Sequence, residues 1–201
     1  MALQTIWDER FSGEHYVFGE EPNAFLVRHA SLLAPGARVL VPGDGEGRNG
    51  VWLARMGMKV LSVDSSAVGL DKAKQLAERH GVTIETEVAD LATWAWPEST
   101  FDAVVAIFLH LPPQTCPDIH AAMLRALKPG GLIILQAFRP EQLGYASGGP
   151  KDVSWLYTAA MLATDFADGD ILVNNEELVA LDEGPSHRGP AATVGLVARR
   201  R

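Results

Sequence analysis

The side chains best suited to chemistry fall into a few short groups. Gly43-Asp44-Gly45-Glu46-Gly47-Arg48-Asn49 is a glycine-rich turn carrying two carboxylates and a guanidinium, and Asp64, Asp90-Leu91, His110 and His187-Arg188 follow along the chain. The glycines are spaced by two, and Arg48 stands at the last position of a G-x-G-x-x-G arrangement, so the turn matches a dinucleotide fingerprint poorly. Asp44 and Glu46 flank the backbone amides on which a pyrophosphate would have to sit. Two like charges at 4 Å repel by about 4 kcal/mol at an effective dielectric of 20. That pattern disfavours NAD and nucleoside triphosphates and favours a ligand carrying an ammonium or a sulfonium. A purely structural turn, with Asp44 and Arg48 as a solvated surface pair, is the alternative.

Asp64 stands about 20 residues beyond the turn, where a carboxylate can accept both hydroxyls of an adenosine ribose. Asp90, in Ala89-Asp90-Leu91, could accept a hydrogen bond from an adenine amino group. Either aspartate alone could be a helix cap or a turn residue, but both fall at strand ends beside a glycine turn. His110 and His187-Arg188 are candidates for the substrate side, since an imidazole is the ordinary general base near neutral pH. A structural histidine at 110 and a loop histidine at 187 are the competing readings. Tyr16, Phe18 and Gly19 lie in a segment too poor in apolar residues to form a core. As a lid, its rings could face a sulfonium, a contact worth on the order of 0.5 to 2 kcal/mol. Trp94 and Trp96 follow Asp90 as candidate walls of an adenine pocket or as core.

These residues need a scaffold, and the chain spells one out. Apolar runs alternate with helix-period segments from about residue 37, as in a parallel sheet covered by helices. Arg38 to Val41 reads as the first strand, and a helix through Trp52 and Leu53 ends at Gly57. Lys59 to Val63 is the second strand and stops at Asp64. Ser66 caps a helix with Leu70, Ala73, Leu76 and Ala77 on one face, ended by Gly81. Val82 to Val88 reads as the third strand and Phe101 to Phe108 as a central strand buried on both faces. Ile119, Met123 and Leu127 mark the next helix. Lys128-Pro129-Gly130-Gly131 stops it, and Leu132 to Leu135 starts the fifth strand. Asp152 to Phe166 reads as one helix. Ile171 to Leu181 and Ala192 to Ala198 have no helix between them and should pair antiparallel. Glu20-Glu21-Pro22-Asn23 opens a short helix, and Gly144 to Pro150 is glycine-rich enough to be mobile. The expected fold class is α/β, a doubly wound, mostly parallel seven-stranded sheet with a C-terminal antiparallel hairpin, whose ligands bind at the carboxyl ends of the strands.

Composition narrows the function. The chain has 201 residues, 47% hydrophobic and 21% charged, and is expected to form one domain with a self-sufficient core. Its formal net charge of -8 argues against nucleic-acid partners, which reward Lys and Arg. The opening residues Met1 to Arg10 lack a basic n-region and an apolar run, and no stretch approaches the roughly 20 apolar residues of a membrane span. The single cysteine, Cys116, excludes an internal disulfide and a cysteine-based zinc site and suits a reducing compartment. A soluble, cytoplasmic protein acting on a small-molecule substrate, with no nucleic acid, no membrane and no metal, is the expectation; oligomeric state is left open.

Taken in order, Val39-Leu40-Val41-Pro42-Gly43-Asp44-Gly45-Glu46-Gly47, Val63-Asp64, Ala89-Asp90-Leu91, Phe101-Asp102-Ala103-Val104-Val105 and Leu127-Lys128-Pro129-Gly130-Gly131 resemble the motifs of the class I S-adenosylmethionine-dependent methyltransferases. Trp7-Asp8-Glu9-Arg10-Phe11, Gly45-Glu46-Gly47-Arg48-Asn49 and His110-Leu111-Pro112-Pro113 are similar to small bacterial enzymes related to the tellurite-resistance and thiopurine methyltransferases. The resemblance implies a Rossmann-like methyltransferase fold over residues 1–201, with 1–35 as a helical lid segment and 36–201 as a catalytic core. It also implies S-adenosyl-L-methionine as cofactor, held by Tyr16, Gly43, Asp44, Gly45, Arg48, Asn49, Asp64, Ser65, Asp90, Leu91 and Ile107. Methyl transfer would go to a small nucleophile such as a soft chalcogen oxyanion or a thiol. Tellurite-type enzymes place a His-Arg pair before the last strand, so His187 and Arg188 would be base and anion clamp, with His110 beside them. Val41 departs from the family's Asp or Glu at that position, and Asp44 is the candidate to supply the charge. A lapsed cofactor-binding sensor module and a nicotinamide-dependent oxidoreductase are the rival classes. Closure over the site is expected from Tyr16 to Asn23, Gly144 to Pro150 and the His187 loop.

Overall fold

The computed structural model describes residues 3–201; Met1 and Ala2, the first two of the opening residues Met1 to Arg10, lie outside the described residues. Helices α1 (Leu3–Phe11) and α2 (Ala24–His29) precede β1 (Arg38–Pro42). Then come α3 (Arg48–Arg55), β2 (Lys59–Asp64), α4 (Ala67–Arg79), β3 (Glu85–Val88), β4 (Phe101–Ile107), α5 (Cys116–Ala126), β5 (Leu127–Phe138), α6 (Ala159–Asp165), β6 (Gly169–Asp182) and β7 (Arg188–Arg200). The seven strands form one sheet in the order β3-β2-β1-β4-β5-β7-β6. Every pair from β3 to β5 is parallel, while β7 pairs antiparallel with both β5 and β6. The direction of winding reverses between β1 and β4, which opens a crevice at their carboxyl ends.

Strand periodicity builds the two core layers. In β1, Leu40 joins one layer with Val104, Ile133, Met123 and Phe166, while Val39 and Val41 join the other with Val105, Ile134, Phe25 and Leu53. Both faces are buried, so the strand reads as a continuous apolar run. Helix α4 starts at Ser66, whose hydroxyl accepts from Gly69 N, and Leu70, Ala73, Leu76 and Ala77 are its buried stripe. Gly57 and Gly81 end α3 and α4 at φ 85° and 67°.

Three boundaries differ from the sequence reading. β3 is shorter than Val82 to Val88, because Val82 and Ile84 turn into the core before pairing starts at Glu85. Lys128-Pro129-Gly130-Gly131 is a bulge inside β5: Phe101 faces Leu127 and Ala103 faces Leu132, and the ion pair of Lys128 with Asp102 at 2.8 Å pins the bulge. Asp152 to Phe166 is broken. A 3-10 turn, Val153–Trp155, is capped by the Asp152 side chain, Leu156 to Thr158 are extended, and α6 starts only after Thr158, whose side chain accepts from Met161 N. Caps at both Asp152 and Thr158 outcompete a continuous helix, and the extended stretch lets Tyr157 N donate to Phe138 O.

Candidate active site

The glycine turn sits at the switch point and has positive φ at Gly43, Gly45 and Gly47. A Cβ at Gly47 would stand 2.5 Å from Ala73 Cβ, so that glycine is required for α3 to pack on α4. Asp64, the last residue of β2, clamps the turn: Oδ2 accepts from Gly45 N at 2.8 Å and Oδ1 from Ser66 N at 2.8 Å. Burial raises its pKa above the ordinary carboxyl value, opposed by these backbone donors.

Each of the two loop carboxylates has partners within the protein. Asp44 points beneath the turn, where Ser62 Oγ donates at 2.6 Å and Gly50 N at 3.2 Å. Both of its oxygens thus accept hydrogen bonds from within the protein. Glu46 is paired with Lys72 at 2.5 Å and accepts from Val17 N at 2.7 Å. Burial pushes the Asp44 carboxyl up to about 6. A folded-state pKa above the unfolded 3.8 means that the folded protein keeps a proton which the unfolded chain releases. Stability is therefore highest below about pH 4, falls as pH rises to about 6 and is flat beyond, a change of about 3 kcal/mol from this group. Asp44→Asn keeps an acceptor for Gly50 and a partner for Ser62. Denaturant unfolding should show the variant more stable at pH 8 and without this slope, and a loss above about 1 kcal/mol at pH 8 would refute the account.

A buried polar network joins the turn to both ends of the chain. Arg48 pairs with Glu183 at 2.8 Å, with side chains only 7% and 6% exposed. Asn23 Nδ2 donates to Gln136 Oε1 at 2.8 Å and to Glu183 Oε1 at 3.0 Å, its backbone N donates to Asn49 Oδ1 at 3.0 Å, and its own Oδ1 caps α2 through Leu26 N. Arg48 and Asn49, expected as cofactor-binding residues, are thus both members of this network. Asn23, Gln136 and Glu183 were not singled out by the sequence, where they read as a cap, a strand residue and a turn residue.

Across the strand ends runs a row of aromatic rings. Trp7 stacks on Phe11 at 5.3 Å, Phe11 meets Phe18 at 6.3 Å and Phe18 meets His187 at 4.6 Å. His187 meets Phe108 at 4.7 Å and Phe138 at 5.5 Å. Phe108 lies just past β4 with φ 53°, a strained conformation for a bulky residue that turns its ring into this row. The sequence offered no sign of it, since a Phe closing an apolar run reads as strand. His187 is 4% exposed and its Nδ1 has no hydrogen-bond partner. Burial first, then the charges of Arg48 and Arg10, push its pKa down to about 3.

Beyond the row of rings lie the other expected site residues. His110 uses both ring nitrogens on the backbone, Nδ1 with Trp155 O at 2.7 Å and Nε2 accepting from Phe138 N at 3.2 Å, and burial pushes its pKa down to about 4. It therefore has no nitrogen left for a substrate. Arg188 is 77% exposed and pairs with Asp182, so it does not join His187 in a clamp. Successive strand residues point to opposite sides. Tyr16 lies on α4, its hydroxyl donating to Lys72 O at 2.9 Å, and Arg79 stands over its ring. Ile107 and Leu91 are buried in the two core layers. Ser65 follows Asp64 in the turn, and Asp90 is exposed, accepting from Ala92 N at 3.0 Å. Trp94 and Trp96 pack against each other and the core, 4.9 Å apart. The Gly144 to Pro150 stretch is tied down: Ser147 Oγ donates to Pro190 O at 2.6 Å, and Gln142 Nε2 donates to Gly148 O at 3.0 Å. Among the described residues no helix is long and apolar enough to cross a membrane.

Comparison with known proteins accords with this architecture. Residues 39–131 match the family model described as a methyltransferase domain. The cypemycin N-terminal methyltransferase of a Streptomyces species is 31% identical over 141 residues, 67% of this chain and 56% of that protein. The chain spans between about a quarter and about half the length of the curated relatives it matches. A solved structure concerned with conversion of a disulfide bond into a thioacetal group during echinomycin biosynthesis superposes with a TM-score of 0.79 at 22% identity, covering 99% of this chain and 92% of that one. TehB from Haemophilus influenzae superposes with a TM-score of 0.73 at 20% identity, covering 98% of this chain and 67% of that one. At such identities the structural likeness is one of fold.

Proposed function

We propose that the chain is a class I S-adenosylmethionine-dependent methyltransferase that transfers a methyl group to a small, uncharged nucleophile such as a thiol or an amine. The observation that carries this reading is the unpartnered Nδ1 of His187, enclosed by Phe18, Phe108 and Phe138 at the strand ends. A buried nitrogen without a partner is costly unless a bound group supplies one. The residues around the turn suit the cofactor: Asp64 stands at the end of β2 against Gly45, and α4 begins just beyond it. S-adenosylmethionine supplies an electrophilic methyl carbon on a cationic sulfur.

His187 accepts a hydrogen bond from the acceptor's N–H or S–H and aims its lone pair. With that cofactor bound, the nucleophile–carbon bond would form as the carbon–sulfur bond breaks, the displaced electron pair remaining with the cofactor. The methylated product carries the acceptor's proton and loses it to solvent on release, while His187, held neutral, orients the N–H or S–H without taking the proton. The rings around His187 exclude water, which would compete as a nucleophile. An oxyanion acceptor, as in tellurite chemistry, is less well served, because Arg188 is outside the row and Arg48 is neutralised by Glu183.

Calorimetry with S-adenosylhomocysteine tests the cofactor site. Asp64→Ala should weaken binding about 30-fold, the value of one charge-assisted hydrogen bond, and unchanged affinity would remove Asp64 from the site. Transfer of label from methyl-labelled cofactor to a panel of thiols and amines tests the acceptor. Label appearing only in a protein from a lysate would refute the small-molecule reading, and cofactor binding without transfer to any acceptor would favour a sensor module.

A further inference from the structure

Lys72 is a buried lysine on α4, outside the row of rings, and it holds an unusual set of partners. Its Nζ lies 2.5 Å from Glu46 Oε1, 2.8 Å from Gly13 O, 2.8 Å from His15 O and 3.4 Å from Phe11 O. Its own carbonyl accepts from Tyr16 Oη at 2.9 Å, and the Tyr16 ring stands 4.8 Å from Nζ. Residues 11–16 therefore wrap around one ammonium, with backbone carbonyls turned inward as they would be around a bound cation. Glu46 is the carboxylate of the same shell. It lies between Gly45 and Gly47 in the cofactor turn, and its second oxygen accepts from Val17 N at 2.7 Å, one residue before the Phe18 ring that covers His187.

We propose that the Lys72–Glu46 pair is a latch that ties the order of segment 11–18 to the conformation of the glycine turn, making both side chains positioning residues for the lid over His187. Any shift of the turn moves Glu46, and with it the Val17 amide and Phe18. Any release of segment 11–18 strips Nζ of carbonyl partners and leaves Glu46 as its sole anionic contact in a buried site, so the two halves settle or open together. The remaining ties of the segment reinforce this coupling. Gly184 has room for no side chain against Gly19 N and Phe18 C, and Ser186 N donates to Val17 O at 3.3 Å, so the loop carrying His187 rests on the same strap. The coupling to cofactor rests on the function proposed above, whereas the latch itself is a property of the unliganded protein.

Hydrogen exchange of the full chain separates the two. In Lys72→Met, amides of residues 11–19 should exchange at least about tenfold faster than in the wild type, while those of β1, β4 and β5 keep their rates, as local opening requires. S-adenosylhomocysteine should slow exchange in that segment in the wild type and fail to do so in the variant, with affinity weaker by about tenfold or less. Lys72→Arg, which retains the charge, should restore part of the protection. Equal exchange of residues 11–19 in Lys72→Met and wild type would overturn the latch. If Lys72→Met instead loosens the core strands, Glu46→Gln decides, since it keeps an acceptor for Val17 and removes only the charge. Faster exchange confined to residues 11–19 supports the latch, and unchanged or uniformly faster exchange refutes it. A wild type that binds no S-adenosylhomocysteine would defeat the proposed function while leaving the unliganded comparison to judge the latch.

Discussion

Replacing Arg48 with Met is expected to lower the unfolding free energy by about 3 to 5 kcal/mol, which for a domain of ordinary stability is a large share of the whole. The reason is the position of Glu183. Its carboxylate is buried and faces Arg48 at 2.8 Å, Asn23 Nδ2 at 3.0 Å and Ala24 N at 3.1 Å. Methionine fills most of the arginine's volume, so packing is roughly conserved and the main change is an anion left without its cation. Two neutral donors remain, which is why the loss is put below the cost of an isolated buried charge. Glu183→Gln should cost less than Arg48→Met, because the guanidinium keeps a carbonyl acceptor and also reaches Glu21 O at 3.4 Å. The double replacement Arg48→Met with Glu183→Leu should recover part of the loss, as expected when a buried pair is removed whole. Urea unfolding of the wild type, Arg48→Met, Glu183→Leu and the double variant closes a double-mutant cycle. A loss under about 1 kcal/mol for Arg48→Met would show that the pair behaves like a surface contact and that the network does not hold the strap, the turn and the hairpin loop together.

That network also shows why the sequence was only partly readable. The sheet followed from local rules: strands 1, 2 and 4 are apolar on both faces, the Ser66 and Asn23 caps are short-range signals, and a hairpin is what two long runs without a crossover helix must form. Asp64 was legible because its place at a strand end beside a glycine turn depends only on chain order. The directions of side chains were not. Asp44 and Glu46 alternate along the turn, and the sequence does not say that one points down to Ser62 and the other out to Lys72. His110 and His187 both follow or precede strands, yet one lies under backbone groups supplied by Phe138 and Trp155 and the other lacks a partner for Nδ1. Only the break in the 152–166 segment puts Trp155 O within reach of His110, and a periodicity count favours the unbroken helix. Contacts between residues more than a hundred positions apart, such as Asn23 with Gln136 and Glu183, leave no local trace at all.

The second large effect is expected on catalysis, at His187. His187→Leu should lower the rate of methyl transfer by about 100-fold at saturating cofactor, the size of effect that misplacing a reacting group can have, while leaving affinity for S-adenosylhomocysteine within about twofold. His187→Gln retains a neutral acceptor and should keep more of the rate than leucine. The pH profile separates a buried neutral imidazole from an ordinary one. A histidine of pKa 6.5 is only about one-tenth neutral at pH 5.5 and would cut the rate about tenfold between pH 7.5 and 5.5. His187, with its pKa pushed down to about 3 by burial and by Arg48 and Arg10, stays neutral across that interval and should contribute no such fall. Stability moves the other way. Below pH 6.5 the unfolded chain takes up protons that folded His187 and His110 refuse, so each removes about 1.4 kcal/mol by pH 5.5, partly offset by the opposite slope of Asp44. Rates must therefore be compared only where circular dichroism shows the chain folded. A tenfold fall in rate over that interval that disappears in His187→Gln would mean that His187 titrates normally in the working enzyme. The enclosed, uncharged acceptor on which the proposed reaction depends would then have to be abandoned.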